Sequence, residues 1–163
     1  MNVMRSHKRP LKKVKMEDGT EQMVDFGFVG DVDECDGKML ATLIAEGIVP
    51  VMAPLTHDKE GHLLNTNADT IAGETAKALA PYFDVTLIYG FEHAGVLTDP
   101  EDEASGIPHI NAESFALLKA DGTVSGGMIP KIENALEAVK AGVKRVIITK
   151  ADAIDGTKGT IIS

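Results

Sequence analysis

Residues 48–89 read IVPVMAPLTHDKEGHLLNTNADTIAGETAKALAPYFDVTLIY. The opening run, Ile48-Val49-Pro50-Val51-Met52-Ala53, is short, apolar and closed by Pro54, which predicts a buried strand. His57 to Leu64 is polar and predicts a loop. From about Asp69 to Ala80, Ile71, Thr75 and Leu79 recur every four residues with Ala72, Ala76 and Ala80 beside them, the spacing of one helix face. Asp84 to Tyr89 returns to an apolar strand pattern. Strand, helix and strand in this order indicate an α/β class, a sandwich around a mainly parallel sheet. Ligands of such sheets bind beyond the carboxyl ends of the strands, so chemistry is expected in the loops after Ala53 and after Tyr89.

The flanking sequence fits the same class. Upstream, Met39, Leu40, Leu43 and Ile44 share a helical face, with Asp36 or Asp33 as cap and Gly47 as stop. Val3 to Val29 has no helical period. Lys12–Met16 and Val24–Val29 are predicted strands around Glu17-Asp18-Gly19-Thr20, a turn signal, and Pro10 confines this hairpin to an edge or flap. Downstream, Gly90 to Ile110 has no sustained period, and a stretch that long in a compact domain is usually functional. Asn111 caps a predicted helix through Phe115, Leu117 and Leu118 to Asp121-Gly122. Another follows Gly126-Gly127 and runs to Lys140 with Ile132, Ala135, Leu136 and Val139 inward. Arg145–Thr149 and Thr160–Ile162 are the last predicted strands. The expected organisation is a basic β-hairpin flap over residues 1–30 and one α/β body over 31–163.

Composition narrows the function classes. With 163 residues, 44% hydrophobic and 25% charged, the chain can bury a core, which argues against disordered and collagen-like classes. No apolar run nears the ~18 residues of a membrane helix and no secretory leader pattern opens the chain, so a soluble, cytoplasmic protein with no membrane partner is expected. Cys35 is the single cysteine, which removes intrachain disulfides and cysteine metal clusters. The net charge of −9 is uneven. Arg5, Lys8, Arg9, Lys12, Lys13 and Lys15 precede every carboxylate, and the remainder, with ten cations against 25 acids, is strongly negative. That acidic body would repel phosphate backbones, so no nucleic-acid partner is expected.

Three clusters carry candidate chemistry. In Asn65-Thr66-Asn67-Ala68-Asp69 an amide can cap the helix and Asp69 can meet its dipole, or the amides can grip a ligand while Asp69 accepts bonds from lysine ammonium groups. In Ser125-Gly126-Gly127-Met128-Ile129-Pro130-Lys131 two glycines precede a helix whose amides can face an anion. Pro130 suits a first turn, and Lys131 sits where a cation is unfavourable unless an anion offsets the dipole. Glu92-His93-Ala94-Gly95-Val96-Leu97 follows a strand and either cradles a ligand edge or merely turns the chain. Walker, GxGxxG and GxSxG patterns are absent. His7, His57, His62, His93 and His109 show no HxxxH or HExxH spacing, so no metal site is expected.

At Asn65–Asp69, Glu92–Leu97, Gly126–Lys131 and Gly159-Thr160-Ile161-Ile162 the chain resembles acetylglutamate kinases of the amino-acid kinase superfamily, most of all Bacteroides-type members. The resemblance implies that fold, a three-layer αβα sandwich with its N-terminal part missing. It also implies ATP- and Mg2+-dependent phosphorylation of the side-chain carboxylate of N-acetyl- or N-succinyl-glutamate, in arginine biosynthesis. Asn65 and Asn67 would bind the acylglutamate, Asp69 would organise catalytic lysines, and Lys131 would stabilise the phosphoryl group in flight. Glu92, His93, Ala94, Gly95, Val96 and Leu97 would line the nucleotide site with Thr123, Val124, Ser125, Gly126 and Gly127. The family's Lys-x-Gly-Gly phosphate loop, Gly-Gly substrate loop and substrate arginine have no counterpart here, and Glu92 stands where many relatives have Asp. A homo-oligomer is implied for the full-length form. This chain alone is expected to be nearly silent in catalysis and prone to self-association; the alternative is a non-catalytic nucleotide-binding or subunit-interaction module.

Overall fold

The computed structural model describes residues 3–16, 19–99 and 101–163 and separates into a first unit, residues 1–74, and a second, residues 75–163. The first contains β1 (Met4–Lys8), β2 (Lys12–Lys15), β3 (Glu21–Val24), β4 (Gly30–Cys35), α1 (Gly37–Ala45), β5 (Leu55–His57), β6 (Leu63–Asn65) and the start of α2 (Ala68–Leu79). Its main sheet has the order β4-β1-β5-β6. The β1–β4 and β5–β6 pairs are antiparallel, and β1 meets β5 in parallel.

Charge holds the basic arm in this sheet. Arg9 Nη2 donates to Asp31 Oδ1 at 2.6 Å and its Nε to the same carboxylate at 3.0 Å, a bond that lowers the Asp31 pKa. Arg5 reaches Asp33 and Glu34, and His7 Nδ1 lies 2.6 Å from Asp33 Oδ1. Each such half-exposed pair contributes about 0–1 kcal/mol. Together they align an alternating basic strand with an acidic one. β4, GDVDEC, is therefore a strand that apolar periodicity does not predict.

Two strand expectations are corrected. Val24–Val29 is not a strand. β3 begins at Glu21 because Lys12 pairs with Val24 and Lys15 with Glu21, and a turn follows in which Asp25 Oδ1 accepts from the Gly27 amide. The predicted turn residues Glu17 and Asp18 lie outside the described residues. Ile48–Ala53 is not a strand either; the expected loop His57–Leu64 instead holds the β5–β6 hairpin. Pro50 and Pro54 remove two amide donors around the run, and no neighbouring strand pairs with it among the described residues. It lies beside a cavity of about 230 Å3 lined in part by Val3, Met4 and Leu55. Val49 and Val51 are 83% and 92% exposed. An apolar strip of this kind promotes association. Sedimentation velocity is expected to show concentration-dependent self-association that Val49→Lys with Val51→Lys reduces; a monomer at all concentrations would contradict this.

Helix ends agree with their capping residues. The Asp36 carboxylate accepts from the Met39 amide at 2.9 Å, while Asp33 is used by Arg5 and His7. Leu40 is buried, Leu43 and Ile44 are half-buried, and Met39 is exposed.

The second unit contains β7 (Thr86–Phe91), β8 (His109–Ile110), α3 (Ala112–Ala120), α4 (Met128–Lys140), β9 (Arg145–Lys150) and β10 (Thr160–Ile162), with sheet order β7-β9-β10-β8. β7 runs parallel to β9 and β8 to β10, while β9 and β10 are antiparallel, so this sheet is mixed. β7 starts two residues later than expected, and the strands on either side of α2 belong to different sheets. Val146, Ile147, Ile148 and Thr149 are all buried, which explains a continuous apolar run rather than alternation in β9. α4 packs on β9 and β10 through Ile132, Ala135 and Ala138, all fully buried; Leu136 and Val139 are half-buried. Burial of each Ile or Val contributes about 1.5–3 kcal/mol. Asn111 and Ser114 form a reciprocal capping box at α3, where Phe115 is buried and Leu117 exposed. Among the described residues, no helix is long and apolar enough to cross a membrane.

Candidate functional site

β7 ends at Phe91, and the chain continues through Glu92-His93-Ala94 into buried Gly95-Val96-Leu97. Thr160, the first residue of β10, fastens this loop. Its Oγ1 accepts from the Val96 amide at 2.8 Å and donates to the Ile107 carbonyl at 2.6 Å. The Ile107 amide in turn donates to the Val96 carbonyl at 2.8 Å. A Cβ on residue 95 would stand 2.7 Å from Thr160 Oγ1, so glycine is what lets the loop lie this close. His93 Nδ1 and Glu103 Oε1 lie 3.1 Å apart, and this hydrogen bond holds the Glu103 carboxyl below its ordinary pKa.

The loop between α3 and α4 forms a facing wall. The Asp121 carboxylate accepts from the Thr123 amide at 2.9 Å, and buried Val124 donates to the Leu118 carbonyl. A cavity of about 130 Å3 lies between His93, Gly95, Val96 and Leu97 on one side and Thr123, Val124, Ser125 and Met128 on the other. The start of α4 has no side-chain cap, and the amides of Met128 and Ile129 reach the Ser125 and Gly126 carbonyls at 3.3 Å. Such a helix end carries partial positive charge and weakly used donors.

A larger cavity, about 580 Å3, shares His93 and Met128 with the first and adds Gly90, Phe91, Glu92, Lys131 and Ala151. Lys131 Nζ sits 3.5 Å from the centroid of the Phe91 ring. Of the predicted residues in this unit, Ala94, Gly126 and Gly127 are outside the lining of both cavities. Gly90, Phe91 and Ala151 line the larger one without having been predicted, and Met128 enters as a member of the Ser125–Lys131 cluster; the period-two alternation from Tyr89 marks Phe91 as its neighbour on one face of β7. Apolar walls from Val96, Leu97, Val124 and Met128, hydroxyls from Thr123 and Ser125, and a lysine at a helix N-terminus suit a flat group joined to a polyanion.

In the first unit, β6 delivers Asn65, exposed, with its backbone N–H donating to the Phe28 carbonyl at 2.7 Å. Asn67 Oδ1 accepts from the backbone amides of Asp69 (2.8 Å) and Thr70 (3.2 Å), so this oxygen caps α2. Asp69 occupies the first turn of α2. Thr66, between them, is buried and bonded to Thr56 and the Gly30 carbonyl. One further group, Asp58, Glu60 and His62, places three potential metal-ligand atoms within 4.8 Å of one another. Burial opposes ionisation of Asp58, but bonds from the Glu60 amide and from His62 prevail and bring its pKa down to about 2. That carboxylate is occupied in shaping the β5–β6 turn.

Residues 2–150 match the model of the amino acid kinase family. An acetylglutamate kinase of Bacteroides thetaiotaomicron is 57% identical over 162 residues, which is 99% of this chain and 59% of that protein. The chain thus spans under two thirds of the length of this relative. Among solved structures, an N-acetylglutamate synthase from Neisseria gonorrhoeae in complex with coenzyme A and L-arginine superposes with a TM-score of 0.77 at 22% identity, over 100% of this chain and 37% of that one. A Giardia carbamate kinase gives a TM-score of 0.63 at 20% identity, over 98% of this chain and 60% of that one. At these identities the two structures speak for the mixed α/β fold alone.

Proposed function

The chain belongs to the amino acid kinase family, and from that premise we propose that it carries the nucleotide-handling part of an ATP-dependent kinase acting on the side-chain carboxylate of an N-acylglutamate. The observation that carries this reading is Lys131 at the uncapped start of α4, lining one cavity with the loop that leaves β7. In this role Val96, Leu97, Val124 and Met128 hold the base, Thr123 and Ser125 bond the ribose or phosphates, and the α4 amides with Lys131 face the phosphate chain. Glu92 is the carboxylate of the larger cavity, a sparse donor set that fits Mg2+ held chiefly by phosphate oxygens. Bound MgATP supplies the transferable phosphoryl group. Lys131 would stabilise charge on that group, Asp69 would orient lysines, and Asn65 and the Asn67 amide would hold the acylglutamate. Phosphoryl transfer relies on such positioning and electrostatics.

Calorimetric titration with MgATP tests the reading. Saturable binding is expected, and Lys131→Ala should weaken it roughly tenfold to a hundredfold, the worth of a charged hydrogen bond. Absence of saturation, or a Lys131→Ala variant that binds as the parent does, would refute it. Hydroxylamine trapping of an acyl phosphate then separates the kinase from a second reading, a nucleotide-binding module without turnover. That second reading is favoured by Lys131 being, among the described residues, the single lysine or arginine that lines the two cavities.

A further inference from the structure

Lysine is poorly placed one turn into a helix, because the amide dipoles repel its charge. Lys131 nevertheless has its ammonium 3.5 Å from the centre of the Phe91 ring, well inside the ~6 Å reach of a cation–π contact. The ring itself is anchored. Phe91 is the last residue of β7, its carbonyl accepts from the Ala151 amide at 3.0 Å, and it lies opposite Lys150 in the parallel β7–β9 register. Tyr89, two residues earlier on the same strand face and buried, sits 6.2 Å from it, centroid to centroid, at a tilt of 31°. Both Phe91 and Lys131 line the larger cavity.

We propose that Phe91 is a positioning residue: its ring face holds the Lys131 ammonium at the wall of the larger cavity, oriented toward the phosphates of a bound nucleotide. The proposal deepens the nucleotide-binding reading and rests on it. Attraction to the ring electrons offsets part of the repulsion from the α4 dipole and spares the lysine an ordering cost when a polyanion enters.

The test combines two readouts on the full chain, with Phe91→Leu and Phe91→Tyr. In lysine-labelled NMR spectra the Lys131 ε-methylene protons, over a ring face, should resonate upfield of the other lysines, assigned through Lys131→Ala. Phe91→Leu should abolish this shift and weaken MgATP binding about threefold to thirtyfold, the range of a partly desolvated cation–π contact. Phe91→Tyr, which keeps the ring face, should keep the shift and bind within about twofold of the parent, an outcome that simple packing volume does not impose. An unshifted Lys131 resonance in the parent overturns the pairing. A shift lost in Phe91→Leu without any loss of MgATP affinity overturns the positioning role. A shifted resonance with no MgATP saturation in the parent overturns the nucleotide reading itself, so the two failures are told apart.

Discussion

Gly159→Ala is expected to destabilise the second unit by on the order of 3–5 kcal/mol, the range reserved for a few mechanisms such as strain at special backbone positions and overpacking. Gly159 has φ +113°, a region that L side chains rarely adopt. An added Cβ would overlap the Ile148 carbonyl oxygen, stand 2.8 Å from Thr149 Cβ and 3.1 Å from the Ile148 carbonyl carbon. These are atoms of β9, buried and paired on both sides, so no flexible side chain can yield. Relief would require β10 to part from β9. At roughly 2–4 °C per kcal/mol for a chain of this size, thermal melting should drop by about 6–20 °C. A melting point within a degree or two of the parent would show that the chain does not approach β9 as closely as described.

Local signals make the helices legible in the sequence. Asp36 and Asn111 cap where their side chains reach the amide three residues ahead, an interaction contained within one turn. β9 is legible because burial on both faces demands an uninterrupted apolar run. Long-range causes leave no comparable mark. β4 exists because Arg5, His7 and Arg9 find acids across a strand pair, with partners 22 to 29 positions away in sequence. Ile48–Ala53 has the composition of a buried strand but, among the described residues, no strand pairs with it, and pairing, not composition, makes a strand. At the site, the loop residues Glu92–Leu97 and Thr123–Ser125 and the lysine after the paired glycines stand out by position: past a strand end, or just ahead of a helix. Asn67 shows how one motif divides its duties, since its oxygen is committed to capping α2. Phe91 is illegible because an aromatic residue closing a strand reads as core until the cation over its ring is seen.

Thr160→Val should damage stability and ligand binding together, and for one reason. The Thr160 hydroxyl is buried and satisfies both the Val96 amide and the Ile107 carbonyl, 64 and 53 residues away in the chain. Valine keeps the shape but replaces that oxygen with a methyl group, so the Val96 amide loses this acceptor and the Ile107 carbonyl loses this donor. Leaving a buried donor unpaired costs about 1–3 kcal/mol. The methyl group also needs more room than the 2.8 Å that separates Val96 N from the present oxygen. The loop Gly95-Val96-Leu97 must therefore move away from β10, and it moves into the smaller cavity that it lines. A stability loss of about 2–4 kcal/mol is expected. MgATP affinity should fall about tenfold, as 1.4 kcal/mol of misfit would produce. Thr160→Ser, which keeps the hydroxyl, should restore the affinity and most of the stability. If valine lowered the melting temperature but left MgATP binding intact, the hydroxyl would be a structural tie alone, and the loop after β7 would not be the nucleotide's wall.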